Sequence, residues 1–178
     1  MKAIALFLRV CAVLCFLLAP GLALADSAAA PAQPATAARS TGLPLPRFVS
    51  LKSGKAYMRT GPDLRYPIKW VYQRAGMPVE ITQEYDVWRK IRDFEGDEGW
   101  VHQSMLSGER HVIVVGKDLA LMRDSVSDNG RLVARLEPGV IATVGKCNRQ
   151  SCQIDTGDYQ GWVTRKYLWG IYANENLN

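Results

Sequence analysis

Gly99-Trp100-Val101 recurs as Gly161-Trp162-Val163, at an offset of 62 residues. Leu106 and Gly108 after the first copy are answered by Leu168 and Gly170 after the second. Upstream, Ala56-Tyr57-Met58-Arg59 matches Ala120-Leu121-Met122-Arg123 at offset 64, and Gly76-Met77-Pro78-Val79-Glu80-Ile81 matches Gly139-Val140-Ile141-Ala142-Thr143-Val144 at offset 63. The offset falls by one residue twice, each time in a stretch of turn-forming residues. Three short motifs in one order, with length changes confined to loops, mark an internal duplication. Each copy is about 60 residues long, a size that buries a core only marginally by itself.

Both copies read as β-structure. Phe48-Val49-Ser50-Leu51 and Val112-Ile113-Val114-Val115 are short apolar runs ending at Lys52-Ser53-Gly54 and Gly116-Lys117-Asp118, the pattern of strands closed by turns. Strand alternation puts Ala56 and Met58 on one face, and Ala120 and Met122 on the matching face. A small residue beside a flexible large one suits a tight interior. Further strands are expected at 68–72 and 131–135, at 79–81 and 142–144, at 89–91, at 100–101 and at 162–163. A single helical turn follows at 103–106 and at 165–168. No stretch sustains helical periodicity over the length of an ordinary helix. The expectation is an all-β chain with five or six short strands per copy, each sheet closing on itself to remove its exposed edges. The short connection Ser107-Gly108-Glu109-Arg110 predicts a fixed or semi-fixed pair of copies.

The chain has 178 residues and a formal net charge of +5. Met1 to Ala25 has the form of a secretory signal peptide: Lys2 and Arg9 precede a charge-free Val10–Leu18, then Pro20-Gly21 and Ala23-Leu24-Ala25. A retained membrane anchor is the alternative, although the apolar stretch is short for a span of about 20 residues. Loss of Lys2 and Arg9 with the leader lowers the formal charge from +5 to +3. The remaining charge is evenly spread, without the basic run that nucleic-acid binding needs. Residues 26–46 are rich in Ala and Pro and read as a flexible linker. The domains expected are thus 1–25 signal peptide, 26–46 linker, 47–108 first copy, 109–172 second copy and 173–178 tail.

Cys147 and Cys152 lie beyond the leader, in a chain expected to mature where disulfides persist. Five residues apart with Asn148-Arg149-Gln150-Ser151 between them, they suit a structural disulfide across a hairpin; free thiols, and a redox or metal pair, are the alternatives. A cysteine peptidase needs a thiol activated by a histidine, and these cysteines are better used on each other. His102 and His111 have no ligand-type spacing to them. The carboxylates Asp93, Glu95, Asp97 and Glu98 sit in a turn, where solvated charge is expected. The reading is of no catalytic set, no metal and no cofactor.

Ala56-Tyr57-Met58-Arg59-Thr60-Gly61-Pro62, then Tyr66-Pro67, Gly76 to Val79, Trp88 and Gly99-Trp100-Val101 together resemble the bacterial type of Src homology 3 domain, over about residues 47–170. The second copy departs from the pattern where Asp124-Ser125 replaces the Thr-Gly-Pro turn and where Cys152 lies near the position of Trp88. The resemblance implies two tandem small Src-homology-3-like β-barrels that bind peptides or cell-wall components in bacterial envelopes without catalysis. Related eukaryotic barrels hold extended peptides in aromatic grooves. Tyr57, Tyr66, Trp70, Tyr72, Trp88 and Trp100 are therefore the candidate ligand-binding residues. Arg59 and Arg123 are expected to pair with a carboxylate inside the barrel. The function expected is a periplasmic or cell-envelope binding or adaptor protein recognising a peptidoglycan stem peptide or an envelope protein. The alternative is a structural subunit docked permanently on an envelope complex. Neither a nucleic-acid partner nor a membrane span after leader cleavage is expected.

Overall fold

The computed structural model describes residues 40–127 and 129–177. The expected leader and residues 26–39 of the expected linker lie outside the described residues. The first copy of the repeat forms β1 (Arg47–Leu51), β2 (Ala56–Arg59), β3 (Ile68–Tyr72), β4 (Pro78–Tyr85), β5 (Trp88–Arg92), β6 (Glu98–His102) and β7 (Leu106–Ser107), with a 3-10 turn at Gln103–Met105 before β7. The second forms β8 (His111–Val114), β9 (Ala120–Arg123), β10 (Leu132–Leu136), β11 (Ile141–Cys147), β12 (Ser151–Asp155), β13 (Gln160–Thr164) and β14 (Leu168–Trp169), with a 3-10 turn at Arg165–Tyr167. The two antiparallel sheets have the same topology, β3-β2-β6-β5-β4-β1-β7 and β10-β9-β13-β12-β11-β8-β14. Each has seven strands, beyond the five or six expected, because two residues after each 3-10 turn pair back onto the opening strand.

The sheets do not close into barrels, which corrects the expected closure. Each order ends on an unjoined pair of edges, β3 with β7 and β10 with β14. The physical reason lies in the 3-10 turn, which takes backbone donors at the seam. The Lys52 amide donates to the Met105 carbonyl at 2.8 Å, and the Tyr57 amide meets Met105 Sδ at 3.5 Å. In the second copy the Val115 amide donates to the Tyr167 carbonyl at 2.8 Å.

The alternation read from the sequence holds in the core. Ala56, Met58, Ala120 and Met122 are fully buried, with Val79, Ile81, Ile91 and Val101 around the first pair, and Val112, Ala142, Ile154 and Val163 around the second. The glycine of each Gly-Trp-Val motif has a packing reason. A Cβ on Gly99 would lie 2.5 Å from Met58 Cγ and 2.8 Å from the Arg59 carbonyl oxygen; one on Gly161 would lie 2.6 Å from both Met122 Cγ and the Arg123 carbonyl oxygen. Only glycine lets β6 and β13 cross β2 and β9 this closely.

The copies are docked on one another. Ile141 of the second packs against the core of the first. Phe48 meets the rings of Trp169 and Tyr172 at centroid distances of 4.9 and 4.7 Å. Tyr172 Oη donates to Glu80 Oε1 at 2.9 Å, and Ser50 Oγ donates to the Glu109 carbonyl at 2.8 Å. Glu175 and Leu177 pack on the second copy: Glu175 pairs with Arg110 at 2.6 Å, and the Leu177 carbonyl accepts from the Cys147 amide at 2.8 Å. The end of the Ala/Pro-rich stretch is also tied. Glu84 accepts from the Thr41 amide and hydroxyl, both at 2.7 Å, and from Ser40 Oγ at 3.1 Å, while Arg47 and Arg89 pair with the same carboxylate.

Candidate ligand-binding face

Arg59 closes β2 into the loop that follows it. Its Nη1 donates to the carbonyls of Leu64 and Tyr66 at 3.0 and 2.7 Å. In the second copy Arg123 Nη1 donates to the Gly130 carbonyl at 2.6 Å. Both arginines thus hold loop carbonyls where a carboxylate partner was expected: the loop turns back over the strand and presents oxygens that need a donor. The first loop is further set by Thr60 N on the Pro67 carbonyl and by the Tyr66 ring lying against Gly61, where any Cβ would come within 2.6 Å.

The six candidate aromatics do not share one environment. Tyr72 and Trp88 are buried, at 4 % and 7 % exposure. Tyr72 Oη donates to Asp93 Oδ2 at 2.9 Å. Burial, then the nearby Asp93 charge and this hydrogen bond, push its phenol well above the usual range. Asp93 is itself buried and accepts from the Glu95 and Asp97 amides, so it builds the turn instead of standing in solvent as expected. Trp88 lies edge-on to His102 at 5.5 Å. The other four remain accessible. Trp70 is 51 % exposed on β3, together with exposed Ile68 and Val71, and Tyr66 is exposed on the loop before them. Tyr57 and Trp100 are half-buried. Tyr57 stands opposite Val71, and Trp100 stands between Arg59 and Lys90 across three neighbouring strands. Tyr57, Arg59, Trp100 and Lys90 thus share the outer face, whereas Trp70, opposite Met58, lies on the other side of the sheet at the β3 edge.

A second concave region, of about 740 Å³, lies between the copies and is lined by Ser50, Gly76, Glu109, His111 and Asp155 among others. His111 Nδ1 sits 3.0 Å from Ser50 Oγ. Because the Ser50 proton is committed to the Glu109 carbonyl, its oxygen accepts from Nδ1–H. That polarity is opposite to the one in which a histidine base activates a serine. Among the described residues no group of three His, Cys, Asp or Glu side chains is placed to hold a metal ion. No described helix is long and apolar enough to cross a membrane.

The sequence pattern of the bacterial SH3 domain matches this chain twice, at residues 52–108 and 116–170. The chain belongs to the bacterial SH3 domain family. It is a family of binding domains, and each match covers one sheet from just after its opening strand, β1 or β8. Comparison with curated proteins gives no match. Among solved structures, NlpC2 from Trichomonas vaginalis is similar at 15 % identity and a TM-score of 0.34, covering 73 % of this chain and 50 % of its own. NlpC1 from the same organism is similar at 15 % identity and a TM-score of 0.33, covering 74 % and 48 %. The chain therefore spans about half the length of these two structures.

The two SH3 repeats differ on the corresponding outer face. In the first, Trp88 pairs with His102; in the second, Ser151 pairs with Thr164, two positions on from Trp162 as His102 is from Trp100. Ser151, not Cys152, is thus the counterpart of Trp88, and Cys152 answers to Arg89 opposite Val163. Cys147 and Cys152 form a disulfide between facing positions of β11 and β12, Cα atoms 4.1 Å apart. The first repeat has the same one-residue shift, between Ile81 and Gln83, so Cys147 and Cys152 stand where that repeat has the facing pair Glu84 and Arg89.

Proposed function

We propose that this tandem bacterial SH3 protein is an exported, non-catalytic binding module of the cell envelope, taking an extended cell-wall stem peptide along the β3 edge of its first repeat. The observation that carries the reading is that edge. β3 ends its sheet and exposes Ile68, Trp70 and Val71 in succession. An edge strand offers unpaired backbone donors and acceptors to another extended chain, and such strand addition draws specificity from neighbouring side-chain pockets. Tyr57, Tyr66 and Trp100 supply aromatic surface beside it. The Lys55 ammonium, 5.5 Å from the Tyr57 ring centroid, supplies positive charge, while Lys69 and Lys90 are paired with Asp97 and Glu98.

Titration with purified peptidoglycan fragments, followed by the indole NMR signal of Trp70, tests the reading. Saturable movement is expected, together with a loss of about tenfold or more in affinity for Trp70→Ala, the scale of an aromatic anchor. The same exposed edge would serve permanent docking to an envelope protein. Co-purification of one protein at fixed stoichiometry, with no fragment response, would favour that second reading. Absence of both would remove the β3 edge as a binding surface.

A further inference from the structure

The second repeat carries an open recess of about 350 Å³ on the face where the first repeat holds Trp88. Its existence follows from two exchanges. Ser151 stands where the first repeat has Trp88, and Thr164 stands where it has His102. An indole and an imidazole packed edge-on are thereby replaced by two small hydroxyl side chains. The space they leave is walled by Leu121, Trp162 and Tyr167 and bordered by Arg123 and Lys166. Its volume is within the range of small-ligand sites.

The recess is rigidly framed. Ser151 directly precedes Cys152, whose disulfide to Cys147 clips the hairpin, and the Ser151 amide donates to Asn148 Oδ1 at 2.8 Å. Arg123 is held by the Gly130 carbonyl. The Lys166 ammonium lies 4.8 Å from the Tyr167 ring centroid, a placement a cation–π contact favours. Among the described residues, the lining contains two cations, several hydroxyls and no carboxylate. A site so composed is complementary to an anion with hydrogen-bonding capacity, carried on a body small enough to lie against Trp162.

We infer that this recess is a binding site for the free carboxylate end of a short peptide, with the carboxylate between Lys166 and the Ser151 and Thr164 hydroxyls and the terminal side chain on Trp162. It is separate from the β3 edge of the first repeat, and neither site depends on the other.

The test uses the purified protein with the tryptophan indoles labelled for NMR and the Trp162 signal assigned through Trp162→Phe. N-acetyl-dialanine, its C-terminal amide and inorganic phosphate are titrated separately. The free acid should move the Trp162 signal saturably. The amide should bind at least tenfold more weakly, the cost of about one charge-assisted hydrogen bond. Ser151→Trp, which restores the residue type of the first repeat, should abolish the response. Lys166→Gln, an exposed change that leaves packing alone, should weaken binding about tenfold and flatten its salt dependence, and it decides the matter if Ser151→Trp does not fold. Equal binding of acid and amide would overturn the inference. So would displacement of the peptide by phosphate at equal concentration, which would make the recess a general anion site. A Trp70 response without a Trp162 response would overturn it and leave the β3 edge standing.

Discussion

Replacing Gly99 by Ala would put a methyl group 2.5 Å from Met58 Cγ and 2.8 Å from the Arg59 carbonyl oxygen. Carbon atoms attract best at about 3.5–4.0 Å, so one of the two strands must move by roughly 1 Å. Met58 is fully buried and has little room to yield, and the Arg59 oxygen is backbone. β6 meets β2 through the single ladder position Arg59–Trp100, so the displacement falls on the seam where the pairing is thinnest. Overpacking of this kind costs about 1–3 kcal/mol. The alanine recovers about 0.4–1 kcal/mol by stiffening the unfolded chain. A net loss of about 1–2 kcal/mol is expected, and the same for Gly161→Ala, whose Cβ would lie 2.6 Å from the Arg123 oxygen. Gly108→Ala is the control, because nothing lies within 4 Å of its Cβ and its backbone is not left-handed; it should be neutral or slightly stabilising. Urea unfolding of the three variants reads the difference as a shift in midpoint. If Gly99→Ala and Gly108→Ala unfold within about 0.5 kcal/mol of each other, close strand crossing is not why the motif carries glycine.

Three further outcomes follow from other contacts. The Cys147–Cys152 disulfide closes a small loop, so Cys147→Ser with Cys152→Ser should cost about 2 kcal/mol by the loop-entropy relation, measured by urea unfolding under non-reducing conditions. Burial pushes the Glu84 pKa up, but hydrogen bonds from the Thr41 amide, Arg47, and the Thr41 and Ser40 hydroxyls outweigh it and bring the value from the ordinary 4.5 down to about 2. A lowered folded-state pKa contributes stability above the ordinary value that is lost as pH falls through the folded one. Hydrogen-exchange protection of the Thr41 amide should therefore fall between pH 4.5 and about 2 while that of the core strand β5 persists. Phe48→Ala removes the ring that joins Trp169 and Tyr172 and should cost about 3 kcal/mol. Calorimetry should then resolve two melting steps where the parent is expected to give one, and a single unshifted step would mean the repeats are coupled through other contacts.

Much of the fold was legible because its signals are local. Ala56, Met58, Ala120 and Met122 alternate within one strand, and period-2 geometry alone sends them inward. The Gly-Trp-Val repeat locates the strands that cross them. Closure was misjudged because it depends on where one carbonyl and one sulfur of Met105 fall after the chain has turned, a tertiary fact with no local signature. Tyr72 and Trp70 are two residues apart and share a strand face by alternation, yet one is buried against Asp93 and the other is open. Position along a strand that leaves the sheet edge decides this, and composition does not record it. The Ser151 counterpart of Trp88 was hidden because the offset between the copies runs from 64 to 62, and only the ladder partners Trp88–His102 and Ser151–Thr164 fix it at 63 there.

The two copies of the repeat diverge unevenly. Ala56 and Ala120, Met58 and Met122, Val101 and Val163, and Gly99 and Gly161 stay identical at the centre of the inner face, while Tyr72 gives way to Leu136 and Val79 to Ala142. On the outer face Trp100 and Trp162 are kept, but Tyr57 changes to Leu121 and His102 to Thr164. Trp88 is an outward residue that is also buried, so its exchange for Ser151 is not free. Burying a large aromatic side chain contributes on the order of 2–3 kcal/mol. The second repeat has a disulfide of about 2 kcal/mol next to Ser151, on the same hairpin, and the first repeat has none. The clip holds β11 and β12 together beside the point where the indole no longer packs. The cysteines stand where the first repeat has the facing pair Glu84 and Arg89, so a covalent link in one repeat takes the place of a buried ion pair in the other.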